Sequence, residues 1–458
     1  MIEQKMERKT MKEAISIAFT AVMVMTVLVG AAVGTETIDA TSASSCIVPE
    51  GFKAEVFAVI LGGVEDFTFD SSGNLFVGGG HTGEIKEMDF DDDTPLPIDA
   101  STIDPVIVGL NAVFGLAFNE TSDLFVSEFD NGEITQIDFP LPEPLPFNAS
   151  AVPPLAYLTY PDGVAFAPPG SPFGTDLFVG DVRAGGIFKV FSNGTVTPFV
   201  YLGCDIEEVI FNNSGDLMFA ISPSCGKIYS ISPDGSDDVI ASGFAFLDAI
   251  AQGPGNAFGE YLYVGDLHGN TLFKVDPVTG DRSVFAVFDS EFGGFEDIVF
   301  DSEGNMFILG FGRGGQIIKI YPATTVSIST DKIAYSPGDT TNVTICLKNP
   351  FDTTQNLMFR WWLTIPKFGY MAVIASKPLA LPANYDECFI FPIDIGDWGD
   401  SGFGAIWGVG LFDPSTDEII DYDTTGWNYL PSATAQEKMP SEIAKEIKKT
   451  IERVELPS

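Results

Sequence analysis

Acidic residues recur at fixed intervals through the first two thirds of this chain, where they are the side chains best placed to do chemistry. Glu65-Asp66, Glu207-Glu208 and Glu296-Asp297 each stand four and three positions before a Phe that ends an apolar run. Asp162 stands four before Phe166, and Asp248 three before Ala251, in two further segments of the same kind. One segment departs from the rule, with Phe114-Gly115 before Phe118. Carboxylates gathered on one axis repel unless a cation neutralises them or they hold protons. Hard oxygen donors suit Ca2+ or Mg2+, and nothing in the sequence asks for an organic cofactor. The candidate metal ligands are therefore Glu65, Asp66, Asp162, Glu208, Asp248 and Asp297. The competing reading turns the same carboxylates into loop amides and solvent.

A second column of polar residues follows each of these segments: His81, Asp130, Arg183, Cys225, His268 and Arg313. The chain has only two histidines, and both fall in it. Histidine is the side chain best placed to move protons near neutral pH. His81 and His268, with Asp162, are the candidate catalytic groups, and Arg183, Arg313 and Asp130 the candidate ligand-binding ones. The alternative is that these loops simply carry polar residues.

Both columns need a repeating scaffold. Six segments share an apolar strand ending at the anchors Phe69, Phe118, Phe166, Phe211, Ala251 and Phe300, a turn rich in Gly and Asp, and a second apolar strand. Their spacing of about 40 to 49 residues is the period of a four-stranded propeller blade. Alternating third strands follow, such as Gly132-EITQIDF and Gly186-IFKVFS. The sixth repeat lacks a fourth strand, while Lys53-AEVFAVI stands unassigned before the first. Pairing those two ends would close the ring and remove its open edges. The inner strands of such a ring begin near one mouth of its channel, where the acids stand.

These repeats, with Tyr160-Pro161-Asp162-Gly163 at a blade start, resemble the NHL-repeat and gluconolactonase/regucalcin-like six-bladed propellers over residues 50–322. The resemblance implies one divalent metal held at the inner-strand starts. Glu65 matches that family's Glu in residue type and first-blade position, and Asp162 matches its Asp in the local Pro-Asp-Gly motif. Its asparagines are replaced here by acids.

After about Thr324 the pattern changes. Val326-SIST, Thr341-NVTICLKN, Leu357-MFRWWLTIP, Cys388-FIFPIDI and Phe403-GAIWGVGLFD read as strands of an Ig-like β-sandwich. The five tryptophans all fall here. Ile443, Ile447, Ile451 and Val454 form one stripe of a short C-terminal helix, docked on the sandwich or on another chain. The fold class is thus all-β: a six-bladed propeller, an Ig-like sandwich and a short helix. The divisions read as a signal peptide or signal anchor at 1–34, a linker at 35–49, the propeller at 50–322, the sandwich at 323–431 and the helical tail at 432–458.

Lys5, Arg8, Lys9 and Lys12 precede an uncharged run from Ala14 to Gly34, the pattern of a targeting segment. It would touch a membrane only if it stays uncleaved. An oxidising compartment would allow Cys204 to pair with Cys225 across adjacent strand ends, and Cys346 with Cys388 across two strands. With 64 acidic and 23 basic residues, net charge −41, the surface excludes nucleic acid as a partner. The partner is a small ligand, a glycan or a surface protein. The reading that follows is a secreted or cell-surface binding protein with a ligand or cation site at the propeller mouth. The alternative is a metal-dependent hydrolase of the lactonase type.

Overall fold

The computed structural model describes residues 46–59, 63–91, 94–267, 270–311, 315–431 and 438–451. The stretch at 1–34, read from the sequence as a targeting segment, lies outside them. No helix among the described residues is long and apolar enough to cross a membrane.

Six sheets of four or five strands follow one another from Asp66 to Pro322. Their innermost strands are Asp66–Phe69, Val113–Phe118, Pro161–Phe166, Val209–Phe211, Leu247–Gln252 and Phe295–Phe300. Each inner strand touches the next, and the last touches the first, so the sheets form a closed propeller. The closing strand is Phe52–Val59, which pairs antiparallel with Gln316–Pro322 and completes the sixth sheet. Cys46–Ile47, within the stretch read as linker, adds an outer strand to the fifth sheet. Burial and the neighbouring Asp289 push the Cys46 thiol up to about 12.

The sheets hold together through an apolar cluster between each adjacent pair. Phe67, Val77 and Phe307 join the first and sixth, while Phe76, Val113 and Val126 join the first and second. Each strand of the second rank is buried on both faces, as Leu177–Asp181 and Leu262–Asp266 are, which explains their continuous apolar runs. The anchor Phe pairs with the first residue of that strand in five sheets, for example Phe69 with Leu75 and Phe118 with Leu124.

The fifth anchor corrects the sequence reading. Gln252, not Ala251, pairs with Leu262. In place of a ring, Gln252 accepts the Asn213 N–H at 2.8 Å and donates to the Glu260 carbonyl at 3.1 Å, tying the fifth sheet to the fourth. An apolar anchor was the signal sought, so a polar one doing the same work by hydrogen bonds passed unseen.

From Thr325 the chain forms a sandwich of two sheets. Thr325–Thr330, Thr340–Asn349 and Tyr385–Asp394 form one; Ala334–Tyr335, Ile419–Tyr429, Phe403–Phe412, Gln355–Ile365 and Tyr370–Leu381 form the other. Trp361, Trp398, Trp407 and Trp427 fill the space between them. Trp362 lies on the other face, over Gly408, where an added Cβ would stand 2.2 Å from its Cε2. Gly408→Ala should therefore cost about 1–3 kcal/mol, read as a lowered midpoint in urea. Helix Pro440–Ile451 docks on this module through Ile443, Ala444 and Ile447, and Trp398 Nε1 donates to Glu446 at 3.1 Å. The Ile451 side chain and Val454 lie outside the described residues.

Both expected disulfides are formed. Cys346 faces Cys388 directly across paired strands, and Cys204–Cys225 clips the loop before the fourth sheet to the loop after its second strand. The second bridge closes a loop of 21 residues. Replacing both Cys204 and Cys225 by Ser should lower unfolding stability by about 3 kcal/mol in guanidinium titrations.

Candidate functional site

Strand register sorts the inner-strand starts into two tiers. The upper tier holds Glu65, Phe114, Asp162, Glu207, Asp248 and Glu296. The lower holds Asp66, Gly115, Gly163, Glu208, Ala249 and Asp297. β-Bulges interrupt pairing around Phe114, Asp162-Gly163, Asp248 and Glu296, and such bulges re-aim a side chain out of the sheet. Asp248 thus belongs beside Asp162 and Glu296, a consequence of the corrected anchor. Upper-tier residues are all partly exposed, while Asp66 and Asp297 below them are buried.

Small residues make room for the lower acids. A Cβ on Gly163 would stand 2.6 Å from Glu208 Oε1. Asp66 Oδ2 accepts the Leu116 N–H of the second sheet at 2.6 Å. Asp297 accepts the Phe67 N–H of the first sheet at 3.4 Å, so lower-tier acids stitch neighbouring sheets together.

The carboxyls meet one another directly. Glu65 and Glu296 act on each other's proton affinity, as do Asp66 and Asp297, and Asp248 acts on Glu207. Burial first, then neighbouring acids, push Glu296 up to about 9 and Glu207 up to about 12. Asp66, Asp162 and Glu208 move well above the ordinary range for the same reasons. Glu65 and Asp297 rise only to about 6, burial being offset by the hydrogen bonds they accept. Glu296 and Asp66 are thus raised further than Glu65 and Asp297, the acids that act on them. Asp248 acts on Glu65, Asp162, Glu207, Glu208, Glu296 and Asp297, and so sits at the electrostatic centre.

All six residues read as metal ligands thus stand at the mouth, joined by Glu207 and Glu296. The donor chemistry, oxygen throughout, fits a hard cation. Glu207 Oε2 is buried and has no hydrogen-bond partner. Among the described residues, no three His, Cys, Asp or Glu converge as a ligand set.

The second column is only partly assembled. His81 Nδ1 stands 3.2 Å from Asp130 Oδ2, both exposed, and His81 also acts on Glu65. Arg183 stands over an aromatic residue of the site, its guanidinium 5.6 Å from the Tyr160 ring centroid. Cys225 is spent in its disulfide. His268 and Arg313 lie outside the described residues.

Two groups of site residues escaped the sequence reading. Asp181, at the end of Leu177–Asp181, accepts the N–H groups of Thr159, Tyr160, Arg183 and Ala184, bracing the loops of the mouth. Asp266 does the same for Ala245 and Phe246. The repeated Val-Gly-Asp endings at 179–181 and 264–266 were the available signal. The other group is aromatic: Phe114 on the inner strand of the second sheet, Phe129 just after that sheet's second strand, and Tyr160 in the loop that leads to the third sheet.

No family model matches the chain, and no curated protein matches it in sequence. Among solved structures it is similar to a streptogramin B lyase at 13% identity and TM-score 0.42, covering 59% of this chain and 98% of that one. It is also similar to a gluconolactonase of Xanthomonas campestris at 12% identity and TM-score 0.45, covering 59% and 89%. A nidogen/laminin complex contains a chain at 14% identity and TM-score 0.40, covering 52% and 84%. Likeness at this level identifies neither a ligand nor a reaction.

Proposed function

We propose that this chain is an exported binding protein whose propeller mouth takes a cation, with Ca2+ or Mg2+ as the simplest occupants. The observation that carries this reading is the pairing of the carboxyls. Three pairs of carboxyls that act on one another and one unpartnered Glu207 oxygen are held together by the fold, and a cation would relieve their repulsion. Glu65, Asp162, Glu207, Asp248 and Glu296 would supply the upper ligands, with Asp66, Glu208 and Asp297 beneath. Entry of a cation would open the pairs and release protons. The two disulfides and the apolar N-terminal run support export. The sandwich, Ig-like in its layering, would serve as spacer or contact module.

The test is calorimetric titration of Ca2+ and Mg2+ into the chelator-treated full chain, in two buffers of different ionisation enthalpy. The expected result is saturable binding whose heat changes with buffer, the mark of proton release. Heats that show no saturation for either ion would remove the reading. The lactonase reading draws support from the His81–Asp130 pair beside Glu65, which offers a proton acceptor at the mouth. Metal-dependent lactone turnover that disappears in both His81→Ala and Asp162→Ala would favour it over binding alone.

A further inference from the structure

Four of the five tryptophans lie between the two sheets of the sandwich, and Trp362 alone stands on an outer face. It belongs to Gln355–Ile365 and pairs with Gly408 of Phe403–Phe412. A Cβ on Gly408 would meet Cε2, Nε1 and Cζ2 of the indole at 2.2, 2.3 and 2.4 Å, and one on Gly410 would meet Cζ3 at 3.3 Å. The ring therefore lies across both glycines and fills the space of two missing side chains. Both glycines are buried, although Thr424 and Tyr422, their partners on the next strand, are exposed. Trp362 itself is partly exposed. One side of the indole thus rests on the strand, and among the described residues no ring or cation stacks on the other.

The surroundings of the ring are polar. Thr424 and Tyr422 face Gly408 and Gly410 across the strand pair, and Thr364 follows Trp362 by two residues, on the same side of its strand. Among the described residues, the hydroxyls of Thr364, Tyr422 and Thr424 make no hydrogen bond. They are free donors and acceptors beside a flat apolar surface.

Charge decides what fits. Arg360, the neighbouring outward residue on the Trp362 strand, pairs with Asp417 and lies 4.3 Å over the Phe412 ring. An ionic ligand therefore finds its natural partner already taken. A proline-rich peptide docks in a groove lined by several rings, and here a single ring lies on an open face. A neutral sugar suits both features. A pyranose turns a flat face of C–H bonds towards the indole, and its hydroxyls reach outward to hydroxyl partners. We propose that this outer face of the sandwich binds a neutral glycan, with one sugar ring stacked on Trp362 and its hydroxyls bonded to Thr364, Tyr422 and Thr424. The site is separate from the propeller mouth and does not depend on what the mouth binds.

The experiment titrates the full chain with cellohexaose, maltohexaose and chitohexaose, and with a proline decapeptide, by calorimetry. Chelator is present throughout, which keeps the mouth out of the result. Saturable binding is expected for at least one of the saccharides and none for the peptide. Trp362→Leu should weaken that binding about tenfold, and Thr424→Val about threefold. Melting curves check that the variants remain folded, and Trp362→Phe replaces Trp362→Leu if it does not, with a loss of about threefold. An indole that serves only to cover its glycines would lower the melting temperature when replaced and would bind no sugar. Absence of binding by all three saccharides therefore overturns the proposal. So does saccharide binding indifferent to every variant, which would place it elsewhere on the chain, and so does peptide binding tighter than that of any saccharide.

Discussion

In chelator, the melting temperature of the full chain should fall as pH rises from 5 to 9, by roughly 10 °C for a domain of this size. The sign follows from the direction of the shifts. Glu65, Asp297, Glu296 and Glu207 all hold protons in the fold more tightly than in the unfolded chain. The folded state therefore binds more protons, and its stability declines with pH. The contribution is fully present below the ordinary carboxylate range near 4. It declines from there, is spent for Glu65 and Asp297 once pH has passed about 6, and continues to be lost to about 9, where Glu296 ionises. Millimolar Ca2+ should flatten the decline by taking the place of the lost protons. Differential scanning fluorimetry across that range is sufficient. A melting temperature that stays level or climbs in chelator would show that the carboxyls do not hold protons in the fold.

Asp248→Asn should have two opposite effects. Asp248 raises the proton affinity of six other acids, so its charge destabilises the empty ring. The amide keeps an acceptor for Glu207 while removing that charge. In chelator at pH 8 the variant should melt several degrees above the natural chain, with a shallower dependence on pH. The same change should weaken Ca2+ binding at least tenfold, since a neutral oxygen replaces a central anionic ligand. A variant that melts lower at pH 8 would place Asp248 in a structural role, not at the centre of the repulsion.

Much of this was readable before any coordinates, and the failures have physical causes. Period and strand pattern revealed the six inner strands, and the spare strand at Lys53 revealed how the ring closes, because both are written in local hydrophobicity. The cysteine pairs were readable because strand ends and parity decide which residues can meet. The placement of Asp248 was not, since a bulge adds a residue without changing the apolar pattern around it. The aromatic group was hidden for another reason: Phe114, Phe129 and Tyr160 are far apart in the chain and meet only through the second sheet and the loop after it, and each alone reads as core. Tyr370–Leu381 and Ile419–Tyr429 were also missed. They bury only some of their residues and carry polar or charged ones between them.

The closing pair of strands also has a mechanical meaning. The chain enters the propeller at Phe52 and leaves it at Pro322, and these two residues face each other at one end of an antiparallel pair. Tension between the N-terminal segment and the sandwich would therefore peel that pair open from one end, one hydrogen bond at a time. Apart from the fifth sheet, which the short Cys46–Ile47 strand joins ahead of Phe52, the other sheets would stand outside the line of force. At the end where peeling begins, Gly51 N–H donates to Thr325 Oγ1 at 2.9 Å, Ala323 N–H to the Gly51 carbonyl at 2.9 Å, and Lys53 pairs with Asp421 at 3.2 Å. These contacts work as a clasp, and the pulling force the protein withstands is set there and not by the size of its core.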